Sequence, residues 1–244
     1  MAQTGYFDNS DKIVRIFLSF VTAIGTVIFP RIANSYKKSD RGKVMLLMGR
    51  AFDGVNLISI PIVCGCIGIA KPFSNLFFGS NFEGIDLVFA VLAVELIFMG
   101  WSSIIGQQFL VAVDKTRGLT ISMIIGIIVI LIADTILIPP YGALGAAIGS
   151  VLGEFTIAII QLIYVYRSKL VDLRYLFQDT WKFMLGGIAV LFVSNLARQI
   201  VQKDLLQIIL AVVFSAAAYS ILLILLKPKL IASGKKEIMA FFKK

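Results

Sequence analysis

The stretch Leu119 to Ile138, LTISMIIGIIVILIADTILI, runs for 20 residues with Asp134 as its single charge. At about 1.5 Å per residue, a helix of that length reaches across the roughly 30 Å hydrocarbon core of a bilayer. Six runs of the same kind surround it: Ile13 to Pro30, Ala51 to Ala70, Ile85 to Ile105, Ala143 to Tyr166, Trp181 to Ile200 and Leu205 to Leu226. All seven are 18 to 24 residues long, which predicts an all-α, multi-pass transmembrane helical bundle of about seven spans. The composition agrees. Of 244 residues, 59% are apolar and 15% charged, with a mean hydropathy of +0.93. A soluble chain of this size needs a far more charged exterior, so a soluble enzyme domain is excluded. The sequence holds no His, which removes His-based triads and His-ligated metal sites, and no cofactor or metal is expected. Its two cysteines, Cys64 and Cys66, sit in an apolar run and read as small buried hydrophobes.

A net charge of +9 raises nucleic acid as a partner, but the distribution of the charge argues for a membrane instead. Six of the 23 Lys and Arg lie between Arg31 and Arg50, two at Lys115 and Arg117, four from Arg167 to Lys182, and six beyond Leu226. All of these fall on one side of the alternating spans. The other side keeps only Lys12, Arg15, Lys71, Arg198 and Lys203. This is the positive-inside pattern, and it predicts a cytoplasmic C-terminus and an outer N-terminus. The polar start, with Asp8 and Asp11 and no basic stretch before the first apolar run, is unlike a signal peptide. A start of this kind on the outer side leads to the expectation that the chain is the C-terminal part of a larger transporter, with a second chain as one source of the remaining spans.

Two segments carry a family resemblance. Gly5-Tyr6-Phe7-Asp8 with the run Phe20 to Ile32 is similar to the mid-chain helix of the polysaccharide (O-antigen and capsule repeat-unit) flippases, the Wzx-like branch of the MOP superfamily. The run Leu137-Ile138-Pro139-Pro140-Tyr141-Gly142-Ala143-Leu144-Gly145-Ala146-Ala147, closed by Glu154, resembles a second pattern of that family, and Gln107-Gln108-Phe109-Leu110 a third. Asp134 departs from it, standing where the family more often has Asn. The resemblance implies one lobe of a two-lobed transporter that moves a lipid-linked oligosaccharide across the cytoplasmic membrane. It also implies residues 1–166 as a five-span lobe, 167–226 as two additional spans and 227–244 as a basic cytoplasmic tail.

Within the spans the polar residues are few. Lys12, Arg15, Ser19, Thr22 and Thr26 recur every three or four residues, so they share one helix face and line a candidate substrate cavity. The two cations either meet an anionic substrate group such as a lipid pyrophosphate or snorkel to the interface. Glu95, Asp134 and Glu154 are candidates for ion coupling or for buried polar pairing, Asp134 lying nearest the outer end of its span. Gly145, Gly149 and Gly153 form a ladder suited to close helix packing. No phosphate-cradling nucleotide motif is present, and the outer loops are short. A lipid-linked-saccharide flippase therefore leads, with an ion-coupled drug or small-solute antiporter and a membrane enzyme acting on lipid-linked sugars as rivals.

Overall fold

The computed structural model describes residues 2–79 and 84–230, so Lys235, Lys236, Lys243 and Lys244 of the basic tail lie outside the described residues. The chain folds into α1 (Ala2–Lys37), α2 (Arg41–Phe78), α3 (Ile85–Ser102), which passes into a π-helical segment (Ser103–Leu110), α4 (Thr116–Tyr141), α5 (Ala143–Arg167), the short α6 (Leu173–Leu176), α7 (Thr180–Ile200) and α8 (Asp204–Leu226). Among the described residues there is no strand. Six helices are long and apolar enough to cross a membrane, and α1 makes a seventh when its two halves, Phe7–Ala23 and Ile28–Lys37, count as one span. Those halves meet at 41°. The break contains Thr26, four residues before Pro30, where the proline ring crowds the preceding turn and its missing N–H leaves the Thr26 carbonyl without its helical donor.

The helices run past the apolar stretches that announce them. The connection between the fourth and fifth apolar runs shrinks to one residue: α4 continues through Pro139 and Pro140 to Tyr141, and Gly142 alone, at φ 55°, makes the turn into α5. Three turns at the basic end share a different device. Ser39, Asp114 and Lys169 each adopt a left-handed backbone, and the next N–H donates to a carbonyl five residues back, as in Asp40 to Ser35 at 3.0 Å and Lys115 to Leu110 at 2.8 Å. This caps the last carbonyls of each helix, a role more often given to glycine.

Two apolar clusters build the lobe. One gathers Phe52, Met48, Ile104, Ile105 and Phe109 near the basic end, and the other Phe89, Leu92, Leu96 and Ala147 toward the opposite end. The last two spans pack on α2 through a third cluster containing Ile60, Phe183, Val190 and Tyr219. Their docking depends on Pro61. Proline has no N–H to donate to the Leu57 carbonyl four residues earlier, and the Tyr219 hydroxyl of α8 donates to that carbonyl instead, at 2.9 Å. Cys66 is buried and Cys64 lies against Gly187 of α7, both unpaired. The outer faces carry exposed apolar residues, densest on α4 at Ile121, Ile124, Ile128, Leu131 and Ile132, which suits contact with lipid tails.

Candidate functional site

The first span shows how a polar stripe is kept open. Val14, Val21 and Gly25 turn inward and are buried, whereas Lys12, Arg15, Ser19 and Thr26 are exposed and Thr22 half-exposed. The hydroxyls bond to their own helix: Ser19 donates to the Ile16 carbonyl at 2.7 Å, Thr22 to Leu18 at 3.0 Å and Thr26 to Ala23 at 2.8 Å. Each keeps lone pairs toward the open side while its proton is satisfied locally. On the buried side, Gly25 admits the Gln108 side chain against the helix backbone, so one residue of the sequence-marked Gln107-Gln108 pair seats the π-helical segment on α1.

Arg15 is the cation whose charge the separate carboxylate candidates feel. It forms an ion pair with Asp11 at 2.7 Å, one turn earlier, with its own side chain 59% exposed and that of Asp11 22%. It also lies within electrostatic reach of Glu95 on α3 and Glu154 on α5. Glu95 is buried and Glu154 half-buried. One guanidinium thus pairs with the Asp11 carboxylate on its own helix and acts at longer range on carboxylates of two others, Glu95 and Glu154, that recede into the lobe. The arrangement leaves one donor array able to choose between internal carboxylates and an external anion.

Asp134 does not join this cluster. Its Oδ1 is buried without a hydrogen-bond partner and rests where a side chain on Gly149 would stand. Gly145, Gly149 and Gly153 all face α4: a methyl group on each would overlap the Leu137 backbone, the Asp134 carboxylate and the Ile130 side chain respectively. Between α1, α2, α7 and α8 lies an apolar groove of about 380 Å³, reached by Phe17, two residues from Arg15, and walled by Pro61, Ile62, Cys66, Val190 and Ala211.

Two polar networks escaped the sequence reading. Gln161, fully buried, donates to both Ser102 and Ser122 at 3.1 Å and ties α3, α5 and α4 together; it leaves its Oε1 without a partner. Gly106 of the π-helical segment provides the space that Gln161 fills. Trp101 donates to Asn56 at 2.8 Å, and Asn56 donates to Thr180 at 3.3 Å, joining α3, α2 and α7. The signal for both networks was a lone amide inside an apolar run, but the partners come from other helices.

The fold and the ancestry agree. A family model for the lipid II flippase MurJ matches residues 4–221. The chain belongs to the MurJ flippase family. That family lies in the MOP superfamily, to which the sequence motifs pointed. A protein of Haloferax volcanii described as "Probable low-salt glycan biosynthesis flippase Agl15" is 22% identical over 93% of this chain and 48% of its own length. The lipid II flippase MurJ of Bacillus subtilis is 23% identical over 64% of this chain and 29% of its own. A solved structure of the lipid II flippase MurJ in an inward closed conformation superposes with a TM-score of 0.74 at 19% identity, covering 93% of this chain and 48% of that one. The chain therefore spans between about a third and a half of the length of these relatives. In MurJ-family terms it is a multi-pass helical membrane lobe, related to flippases of lipid-linked sugars.

Proposed function

We propose that this chain is the C-terminal lobe of a flippase that carries a lipid-linked oligosaccharide repeat unit from the cytoplasmic to the outer leaflet for polysaccharide biosynthesis. The supporting observation is the exposed stripe Lys12, Arg15, Ser19, Thr22 and Thr26 along one face of α1, with Glu95 and Glu154 of α3 and α5 within the electrostatic reach of Arg15. A substrate with an anionic pyrophosphate and a hydroxyl-rich sugar asks for a cation and hydroxyls on one open face. Arg15 would exchange its Asp11 partner for phosphate, while the stripe hydroxyls accept hydrogen bonds from sugar as the lobe rocks against the opposite wall. That wall belongs to a second lobe, in the same polypeptide or on another chain. The Lys- and Arg-rich ends of the spans face the cytoplasm in this reading. Glu95 and Glu154 serve as the coupling carboxylates, changing partner when Arg15 turns to substrate.

The family model's own name favours a second reading, in which the cargo is lipid II itself. Complementation separates the two. The chain is expressed alone and together with the upstream open reading frame, in a strain lacking its repeat-unit flippase and in a strain depleted of its lipid II flippase. Restored surface polysaccharide in the first strain supports the repeat-unit reading, and restored growth in the second supports lipid II. Rescue of neither, with the protein present in the membrane, overturns a lipid-linked cargo and returns the small-solute antiporter; incorporation of labelled sugar by the purified chain would instead return the membrane enzyme.

A further inference from the structure

The turn between α1 and α2 builds a second polar site, far along α1 from Arg15. From α1 come Arg31, Asn34 and Ser35, spaced three and four residues apart; from α2 come Lys43, Leu46, Leu47 and Arg50, spaced the same way. Each set occupies one helix face, and the two faces enclose a cleft of about 340 Å³, at the lower end of the roughly 300–1,000 Å³ of small-molecule sites. No carboxylate lines it. The nearest acid in sequence, Asp40, is engaged as the cap of α2, accepting from the Lys43 N–H at 3.0 Å. The corner is held by the left-handed Ser39 and the bond from Asp40 to the Ser35 carbonyl at 3.0 Å, so the cations are presented on a built turn.

We infer that this cleft binds the phosphate of an anionic phospholipid in the leaflet at the basic end of the bundle. The charge asks for an anion, and the floor decides its kind. Leu46 is 41% exposed beside Arg31 and Lys43, an apolar patch that a hydrated free phosphate would leave unused and that the glycerol and upper acyl chain of a lipid would cover. Ser35, buried at the back, adds a hydroxyl at the depth of the phosphate. An anionic lipid seated here bridges α1 to α2 just below the 41° bend of α1, and so steadies the lower half of the helix that carries the candidate cavity.

The test uses the full chain in nanodiscs of phosphatidylcholine with graded phosphatidylglycerol, counting retained lipids by native mass spectrometry. Retention of phosphatidylglycerol is expected to weaken by about tenfold or more in the double variant Arg31→Gln, Lys43→Gln. The double variant Lys37→Gln, Lys38→Gln, which removes the same charge from exposed positions of the same turn outside the cleft, should retain it. Equal losses in the two would show diffuse attraction and overturn the site. Displacement of the lipid by inorganic phosphate would overturn the lipid as ligand. Leu46→Ser supplies an arm with all charges intact: it should weaken lipid retention severalfold, and unchanged retention there would remove the apolar argument.

Discussion

Arg15 carries two different interactions with one guanidinium. Its bond to Asp11 is local and exposed, worth little by itself, whereas its attraction for Glu95 acts at longer range and opposes only a small part of the cost of burying that carboxylate in a span. A double-mutant cycle should therefore show coupling between Arg15 and Glu95. Arg15→Gln is expected to lower the thermal midpoint in detergent, Glu95→Gln to raise it or leave it, and the pair to lose much less than Arg15→Gln alone. Additive shifts would mean that the two charges do not depend on each other. Glycine at 149 makes a sharper steric prediction. Gly149→Ala places a methyl group on the Asp134 carboxylate and should destabilise by about 1–3 kcal/mol. Gly65→Ala, whose added carbon would meet only Val190 at 3.9 Å, is the matched control and should be near neutral in the same melt.

At the scale of an element, α2 and α8 are joined by a defect in one and a hydroxyl in the other. Tyr219→Phe leaves the Leu57 carbonyl without a donor in an apolar setting and should destabilise the α8 contact by about 1–3 kcal/mol. Pro61→Ala restores the N–H that carbonyl lacks, so Tyr219→Phe should be nearly silent in that background, as read by protease sensitivity of the α7–α8 hairpin. Equal losses in both backgrounds would show that the hydroxyl acts elsewhere. The bend in α1 has the same origin in Pro30. Pro30→Ala should straighten it, reducing the 41° angle between its halves as reported by spin-label distances, and should lower transport if the two halves turn separately.

For the whole molecule, the orientation and the interior were unequally legible. Seven apolar runs stand out because hydrocarbon tolerates few charges over some 20 residues, and that demand is written in composition alone. The bias of Lys and Arg carries a topology forecast by the same logic. In a background of Cys64→Ala and Cys66→Ala, an impermeant maleimide added to intact cells should label Gln202→Cys and spare Ser39→Cys; the reverse pattern would invert the chain. The sequence also singled out Arg15, Glu95 and Glu154, because a charge inside an apolar run is conspicuous without any neighbour. By itself, then, it determined the number and approximate place of the spans, the basic end, the flippase superfamily and the short list of polar groups. Tertiary structure decided which of them meet. Arg15 pairs with Asp11 and is felt by Glu95 and Glu154 from two other helices, Asp134 turns instead to Gly149, and Gln161 finds two serines that no spacing joins. Helix periodicity fixes which residues share a face, but the partner of that face depends on how closely neighbouring helices approach, and close approach is set by glycines and side-chain volumes across the interface rather than along it.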